Sequence, residues 1–240
     1  MAVGNSLFEE QFKIRASEVG TDQMASLPAV CNLLQETAGN HAHQLQLDIT
    51  DLQQQKLTWV LHRLQVEVDR YPEWRETVTI RTWPSGGDGL RAHRDFLILD
   101  TNEQIIGRSL SHWLILDMES RRPNRIPKEI LDRAPENREH VLPVEKGDFT
   151  EVTNPDSSHA FRVRKTDLDL NRHVNNVRYI EWMEACLPNN ADLKNMDIKF
   201  TGEAVLDDRI MASSRNDGQR YHLHVQRSTD RKVLAKAHIT

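Results

Sequence analysis

The 240-residue sequence predicts an α+β fold made of two similar halves, each with one long helix and several antiparallel strands. Self-comparison gives the first reason, because at one constant offset residues 12–15 fall on 161–164 and Val30 falls on Tyr179. Hydrophobic patterning gives the second reason, because strand spacing and helical spacing alternate in the same order in both halves. We therefore predict a sheet wrapped around a helix, formed twice.

Each half contains a stretch with apolar residues at helical spacing. The first stretch follows Pro28, a residue favoured early in a helix, and the second is stopped by Pro188. The apolar positions are Val30, Leu33, Leu34, Ala38 and Leu45 in the first half, and Val177, Ile180, Met183 and Leu187 in the second.

Strands are predicted where apolar and polar residues alternate, at 59–68, 77–82 and 96–99. A Ser-Gly-Gly-Asp-Gly run at 85–89 is typical of a hairpin turn. The polar, proline-containing stretch between the halves indicates a linker. We place the first domain at residues 1–135, the linker at 136–157 and the second domain at 158–240.

Composition is that of an ordinary soluble protein, with 38% hydrophobic and 28% charged residues. No apolar run is long enough for a membrane span, and residues 1–8 lack the basic and apolar parts of a secretory signal. A net charge of -5 argues against a general nucleic-acid binder. Cys31 and Cys186 are too few for a disulfide framework. We expect a cytoplasmic protein.

Residues 166–176 concentrate polar chemistry just before the second helix. Asp169, Asn171 and His173 alternate, so an extended backbone would point them to one side, with Leu168, Leu170 and Val174 anchoring the other. Asn175 or Asn176 suits the helix N-cap. A carboxylate, an amide and an imidazole beside the N–H groups of a helix start are the parts of an acyl-transfer site.

A structural interpretation has equal weight on spacing alone, because Asp and Asn before a helix often form turns and caps. The repeat favours the functional interpretation, because the first half has Gly20, Asp22 and Met24 at the matching positions. Glu203, after an apolar strand, is either a partly buried base or, more commonly for such a position, a surface carboxylate.

Other catalytic patterns are missing from the sequence. There is no GxSxG motif and no phosphate loop, and the two His-x-His pairs lack a third metal ligand at recognisable spacing. We therefore expect no metal at these histidine pairs. A basic stretch at 121–128 is either a solvated linker or a docking surface for an acidic partner, which would use Arg121, Arg122, Arg125 and Lys128.

The sequence resembles the acyl-acyl carrier protein thioesterases, the plant FatA/FatB type and their bacterial relatives. In the first half the resemblance lies in residues 32–37, 65–68 and 70–72. In the second half it lies in the Asp-Leu-Asn-Arg-His-Val-Asn-Asn block at 169–176 and the Tyr-Ile-Glu-Trp block at 179–182. It implies a tandem hotdog fold and hydrolysis of acyl carrier protein thioesters to free fatty acids without a metal or organic cofactor. It also implies Asp169, Asn171, His173 and Glu203 as catalytic residues.

The resemblance also implies an acidic carrier protein as partner, and we expect a homodimer. The acyl chain is expected to contact the first hotdog through Val30, Leu33, Leu34 and Trp59. Plant members have a cysteine directly after the catalytic glutamate, where this chain has Ala204. An acyl-coenzyme A thioesterase, a hotdog dehydratase and a non-catalytic acyl-thioester binding protein remain the alternatives.

Overall fold

A computed structural model describes residues 6–135, 139–147, 149–189, 191 and 193–240. The chain divides into two compact units, Met1–Val144 and Glu145–Thr240. The linker boundaries at 136–157 stay a prediction, and residues 136–138 and 148 within them lie outside the described residues. Among the residues described, no helix is long and apolar enough to cross a membrane.

The first unit is an antiparallel sheet with one long helix against it. The strand order is β1-β3-β4-β5-β2, with β6 paired to β5, and α1 packs against β1 and β3. The elements are β1 (Phe8–Lys13), α1 (Leu27–Gln44), α2 (Ile49–Gln53), β2 (Leu57–Val68), β3 (Thr77–Gly87), β4 (Ala92–Leu99), β5 (Ile105–Asp117), β6 (Pro123–Asn124) and α3 (Lys128–Leu131).

The long helix α1 begins where the sequence predicts it. The Ser26 hydroxyl caps its start by accepting the Ala29 N–H at 3.2 Å, and Pro28 lies in its first turn. Val30, Leu33 and Leu34 are buried, each at 5% exposure or less. Burial of an aliphatic side chain of this size stabilises the fold by roughly 1.5–3 kcal/mol, so this face holds the helix on the sheet.

The predicted hairpin turn at 85–89 lies partly within β3, which continues to Gly87. The chain reverses over the next four residues instead. There the Asp88 carboxylate accepts the N–H groups of Leu90 and Arg91 at 3.1 and 2.8 Å. Gly86 and Gly89 have positive φ angles of 98° and 83°, which glycine adopts without strain.

The second unit repeats the plan. Its strand order is β8-β11-β10-β9-β7, and its helix α4 packs against β9 and β10. Leu187, predicted as part of the helical stripe, lies past the helix, which ends at Glu184 with Ala185 as its C-cap. The elements are β7 (Ser157–Arg162), α4 (Asn176–Glu184), β8 (Asn195–Phe200), β9 (Arg209–Asn216), β10 (Tyr221–Arg227) and β11 (Val233–Ile239).

The entry to each helix shows that the two units are copies. A 3-10 turn follows the first strand of each unit, at Ala16–Glu18 and Lys165–Asp167. In both turns a carboxylate accepts the backbone N–H three residues earlier at 2.7 Å, Glu18 from Arg15 and Asp167 from Arg164. An antiparallel sheet with one helix against it, built twice, confirms the predicted α+β tandem hotdog fold, although α4 has 9 residues where α1 has 18.

Candidate active site

The loop between the second 3-10 turn and α4 closes on itself. The Asp169 N–H donates to the His173 carbonyl at 2.8 Å, and the Arg172 N–H donates to the Asp169 carbonyl at 3.1 Å. Arg172 has a φ angle of 63°, and an antiparallel bridge joins Leu168 to Val174. The predicted extended backbone is therefore wrong here. Leu170, expected to anchor the segment, is 93% exposed at the turn.

The Asp169 carboxylate is directed into its own loop. Its Oδ1 accepts the backbone N–H of Asn171 at 2.8 Å and that of His173 at 3.1 Å. A carboxylate that accepts two backbone N–H groups replaces part of their hydration and restricts the loop to one conformation. Asp169 therefore fixes the backbone that presents Asn171 and His173.

Backbone N–H groups at the start of α4, which we expected to bind an oxyanion, donate to other groups of the protein. Asn175 is the N-cap, as predicted, and its side chain accepts the Val177 N–H at 2.9 Å. The Arg178 N–H donates to the Asn175 carbonyl, also at 2.9 Å. These two N–H groups already have acceptors, and the wider expectation that the helix start helps to hold an oxyanion stays a prediction. The Asn171 amide is our other candidate donor.

Glu203 lies on the segment that follows β8 and is brought next to His173. Its Oε2 is 3.6 Å from His173 Nε2, and the two side chains are 33% and 30% exposed. Glu203 is thus neither a core residue nor a fully solvated one. An imidazole beside a carboxylate, both open to water, is an arrangement suited to general-base chemistry.

Tyr179 is a site neighbour that reasoning from the sequence did not single out. It lies on α4, is 2% exposed, and its hydroxyl accepts the Ala204 N–H at 2.9 Å. Burial, and to a lesser degree the charge of Glu203, raises the pKa of Tyr179 above its ordinary value. The hydroxyl therefore keeps its proton at neutral pH. Its position in the 179–182 block was visible, but no spacing rule connects it to Ala204.

The residues predicted to contact an acyl chain belong to the first unit. Val30, Leu33 and Leu34 are core residues of α1. Trp59 is partly buried, donates its indole N–H to the Leu47 carbonyl at 2.8 Å and meets Trp113 edge-on at 6.5 Å. Packing alone accounts for this burial, so a role in acyl binding stays a prediction.

The basic stretch is exposed, as a docking surface requires. Arg121, Arg122, Arg125 and Lys128 all have exposed side chains. Lys128 Nζ pairs with Asp132 at 2.7 Å, which partly neutralises that end of the stretch. The other three cations of the stretch are arginines.

Metal ions and cysteine thiols are two other means of hydrolysing an acyl bond. Within the described ranges, no group of three or more His, Cys, Asp and Glu residues is arranged to hold a metal ion. Cys31 and Cys186 are buried, and burial raises the pKa of the Cys186 thiol. A buried thiol with a raised pKa is a poor nucleophile.

Fold and site together define a tandem hotdog protein in which one copy bears a carboxylate, an amide, an imidazole and a second carboxylate. The family model for the N-terminal domain of acyl-ACP thioesterases matches residues 5–134, and the model for the C-terminal domain matches residues 150–240. The chain belongs to the acyl-ACP thioesterase family.

Similar plant proteins are the chloroplastic palmitoyl-acyl carrier protein thioesterases of Cuphea hookeriana and Arabidopsis thaliana. The first is 36% identical over an alignment of 197 residues that covers 76% of this chain and 47% of the relative. The second is 34% identical over an alignment of 220 residues that covers 84% of this chain and 53% of the relative. The chain thus spans about half the length of these curated relatives.

Similar solved structures cover the whole chain. An acyl-ACP thioesterase from Bacteroides thetaiotaomicron has a TM-score of 0.87 at 24% identity, covering 100% of this chain and 99% of that one. The 12:0-ACP thioesterase from Umbellularia californica also has a TM-score of 0.87, at 25% identity, covering 100% and 98%. Both likenesses agree with the tandem hotdog fold described above.

Proposed function

We propose that the protein hydrolyses fatty acyl-acyl carrier protein thioesters, releasing the fatty acid and the carrier protein and so ending fatty acid synthesis. The observation that supports this most directly is the His173–Glu203 pair, 3.6 Å apart and open to water. Membership of the acyl-ACP thioesterase family agrees with the same reaction.

In the proposed reaction, His173 acts as general base with Glu203 beside it. His173 takes a proton from a water molecule, and the water oxygen forms a bond to the thioester carbonyl carbon. The Asn171 amide donates to the developing oxyanion. Collapse of the tetrahedral intermediate breaks the carbon–sulfur bond, and the proton held by His173 passes to the leaving thiolate.

We assign Asp169 to positioning rather than to direct attack. One of its carboxylate oxygens already accepts two backbone N–H groups, and each such bond makes that oxygen a weaker nucleophile. The carboxylate also sets the backbone of both Asn171 and His173. Loss of this orientation lowers the rate because reacting groups must be held close to their productive geometry.

The proposed mechanism needs no thiol at position 204. Its side chain is fully buried, and its backbone is held by Tyr179 and Val174. A cysteine side chain built on this backbone would begin in the core rather than at the exposed His173–Glu203 pair. We therefore expect Ala204→Cys to hydrolyse thioesters no faster than the wild type.

We further propose that the acidic carrier protein docks on four exposed cations, Arg121, Arg122, Arg125 and Lys128. The acyl chain would be in contact with Val30, Leu33, Leu34 and Trp59. We also propose that the protein is a cytoplasmic homodimer. Exposure of the cations supports the docking role. Two buried cysteines without a disulfide suit a reducing compartment. Light scattering would test the dimer.

The test of the activity is thiol release from a panel of acyl carrier protein and acyl-coenzyme A thioesters. We expect turnover of the carrier protein substrates by wild type, loss of turnover in His173→Ala, and wild-type rates in His159→Ala, an exposed histidine on β7. If well-folded wild type turns over no thioester, the enzyme proposal fails and a binding protein is the better account.

The same panel tests the partner. Arg122→Glu should raise KM for carrier protein substrates and leave KM for coenzyme A substrates unchanged. Arg231→Glu, the same charge reversal at an exposed arginine of the second unit, is the matched control. If Arg122→Glu has the same KM as wild type for the carrier protein substrates, docking at this stretch is contradicted. If wild type prefers coenzyme A substrates, the protein is better described as an acyl-coenzyme A thioesterase.

A further inference from the structure

Both backbone polar groups of Ala204 are hydrogen-bonded. Its N–H donates to the Tyr179 hydroxyl and its carbonyl accepts the Val174 N–H, both at 2.9 Å. Tyr179 lies on α4, and Val174 directly follows His173. The residue after Glu203 is therefore tied both to the helix and to the loop that present the imidazole.

Contacts on either side leave the Glu203 segment little freedom. Before it, the Gly202 N–H donates to the Leu234 carbonyl at 3.1 Å, and a Cβ at Gly202 would lie 2.9 Å from Leu234 Cδ2. After it, the Val205 N–H donates to the Asp208 carboxylate at 3.0 Å. Within this frame the Tyr179 bond fixes the peptide adjacent to the carboxylate.

The first unit, which has the same fold, shows which of these contacts the fold itself requires. There the Ala25 N–H donates to the Pro72 carbonyl at 2.8 Å, which matches the bond from Val174 to Ala204. Pro72 has no N–H to donate. Val30 stands where the second unit has Tyr179. The first unit thus keeps the bond to the backbone carbonyl, here that of Pro72. It has neither the hydroxyl of Tyr179 nor the N–H of Ala204, so it cannot form the second bond.

We propose that Tyr179 is a positioning residue, whose hydroxyl holds the Ala204 peptide and thereby sets the Glu203 carboxylate against His173. This rests on the proposed function, because it assigns Tyr179 a part in the same hydrolysis. Tyr179 touches no reacting atom in this role. It acts on the rate through Glu203, since small displacements of a catalytic group reduce the rate steeply.

The first experiment is Tyr179→Phe, which removes only the hydroxyl. We expect kcat to fall about 10- to 100-fold while KM stays within about twofold, since the loss is in alignment rather than in substrate binding. Tyr221→Phe, the same change on β10 of the same unit, should match wild type. A Tyr179→Phe enzyme with wild-type kcat would overturn the proposal.

The competing account is that Tyr179 only satisfies a buried N–H. The double variant Tyr179→Phe/Ala204→Pro separates the two, because proline removes the N–H as Pro72 does in the first unit. We expect the double variant to regain the wild-type Tm and to remain slow. Recovery of both Tm and kcat would show a structural role alone and overturn the proposal.

A readout that does not depend on turnover is the NMR spectrum of the His173 ring, assigned with His173→Ala. We expect its ring chemical shifts to move in Tyr179→Phe and in the double variant, and to stay in place in Tyr221→Phe. Unmoved His173 signals would overturn the positioning role. Failure of wild type to hydrolyse any thioester would instead count against the proposed function, so the two failures are distinguishable.

Discussion

Two loops of the molecule, 19–25 in the first unit and 168–174 in the second, share one backbone. In the first, the Gly20 N–H donates to the Met24 carbonyl at 3.0 Å, and Gln23 has a φ angle of 65°. The second has the same bond at 2.8 Å and a φ angle of 63° at Arg172. Each loop is closed by an antiparallel bridge between its ends.

The side chains on this shared backbone differ. In the first loop the capping carboxylate is that of Asp22, which accepts the Met24 N–H at 3.0 Å. In the second loop the corresponding N–H, that of His173, is accepted by Asp169, which lies two positions earlier in the loop than the counterpart of Asp22. With the cap at Asp169, the position matching Asp22 becomes available for the Asn171 amide. The need to cap a turn before a helix thus accounts for one carboxylate in each loop. It does not account for the Asn171 amide and the His173 imidazole, which the first loop lacks.

The largest effect is expected from giving His173 the side chain of its counterpart. His173→Met should fold normally, because Met24 occupies the same backbone position in the first unit. Removal of the proposed general base should lower kcat by about 10²- to 10⁴-fold. Thiol release and a thermal melt measure the two quantities. The reverse change, Met24→His, should create no activity, since Tyr71 stands where the second unit has Glu203.

A smaller effect is expected from Asp169→Asn. The amide oxygen can still accept the N–H groups of Asn171 and His173, so the loop should keep its conformation and kcat should fall by about tenfold or less. Asp169→Gly, which installs the first-loop residue, removes the cap and should be slower. If Asp169→Asn is as inactive as His173→Met in steady-state kinetics, Asp169 attacks directly and the comparison with the Asp22 cap fails.

Two histidines, one in each unit, differ in their burial. The His173 side chain is 30% exposed, whereas His112 on β5 is buried. Burial, with a contribution from the charge of nearby His93, lowers the pKa of His112 from an ordinary 6.5 to about 3. Between these values the unfolded chain binds the proton and the folded chain does not. Stability from this residue is therefore present above pH 6.5 and falls as the pH drops towards 3.

His112→Gln should make the free energy of unfolding less sensitive to acid. At pH 5 the neutral His112 costs the fold about 2 kcal/mol relative to pH 7.5, from the shift of the pKa over that interval. Urea unfolding at the two pH values measures this, with His159→Gln as the exposed control. Equal pH dependence in wild type and His112→Gln would show that His112 does not resist protonation.

The parts that the sequence predicted well are those set by local physics. Helix α1 and the Asn175 cap follow from apolar spacing and from the side chains that suit a helix start. The nearness of Glu203 to His173 could not be derived from spacing, because it depends on where the end of β8 meets a loop far away in the chain. The turn conformation was missed because Arg172, rather than glycine or asparagine, has the positive φ angle.

That positive φ angle allows the smallest and most direct test of the shared backbone. Glycine adopts a left-handed conformation without the cost that a Cβ brings, although it also gains entropy in the unfolded chain. Gln23→Gly and Arg172→Gly should therefore each raise the free energy of unfolding by about 0.5 kcal/mol, as measured by urea titration. Equal changes would show that the two loops bear the same strain. If Arg172→Gly stabilises the fold by about 1 kcal/mol more than Gln23→Gly, beyond the range expected for one shared conformation, the 168–174 loop stores strain that its counterpart does not.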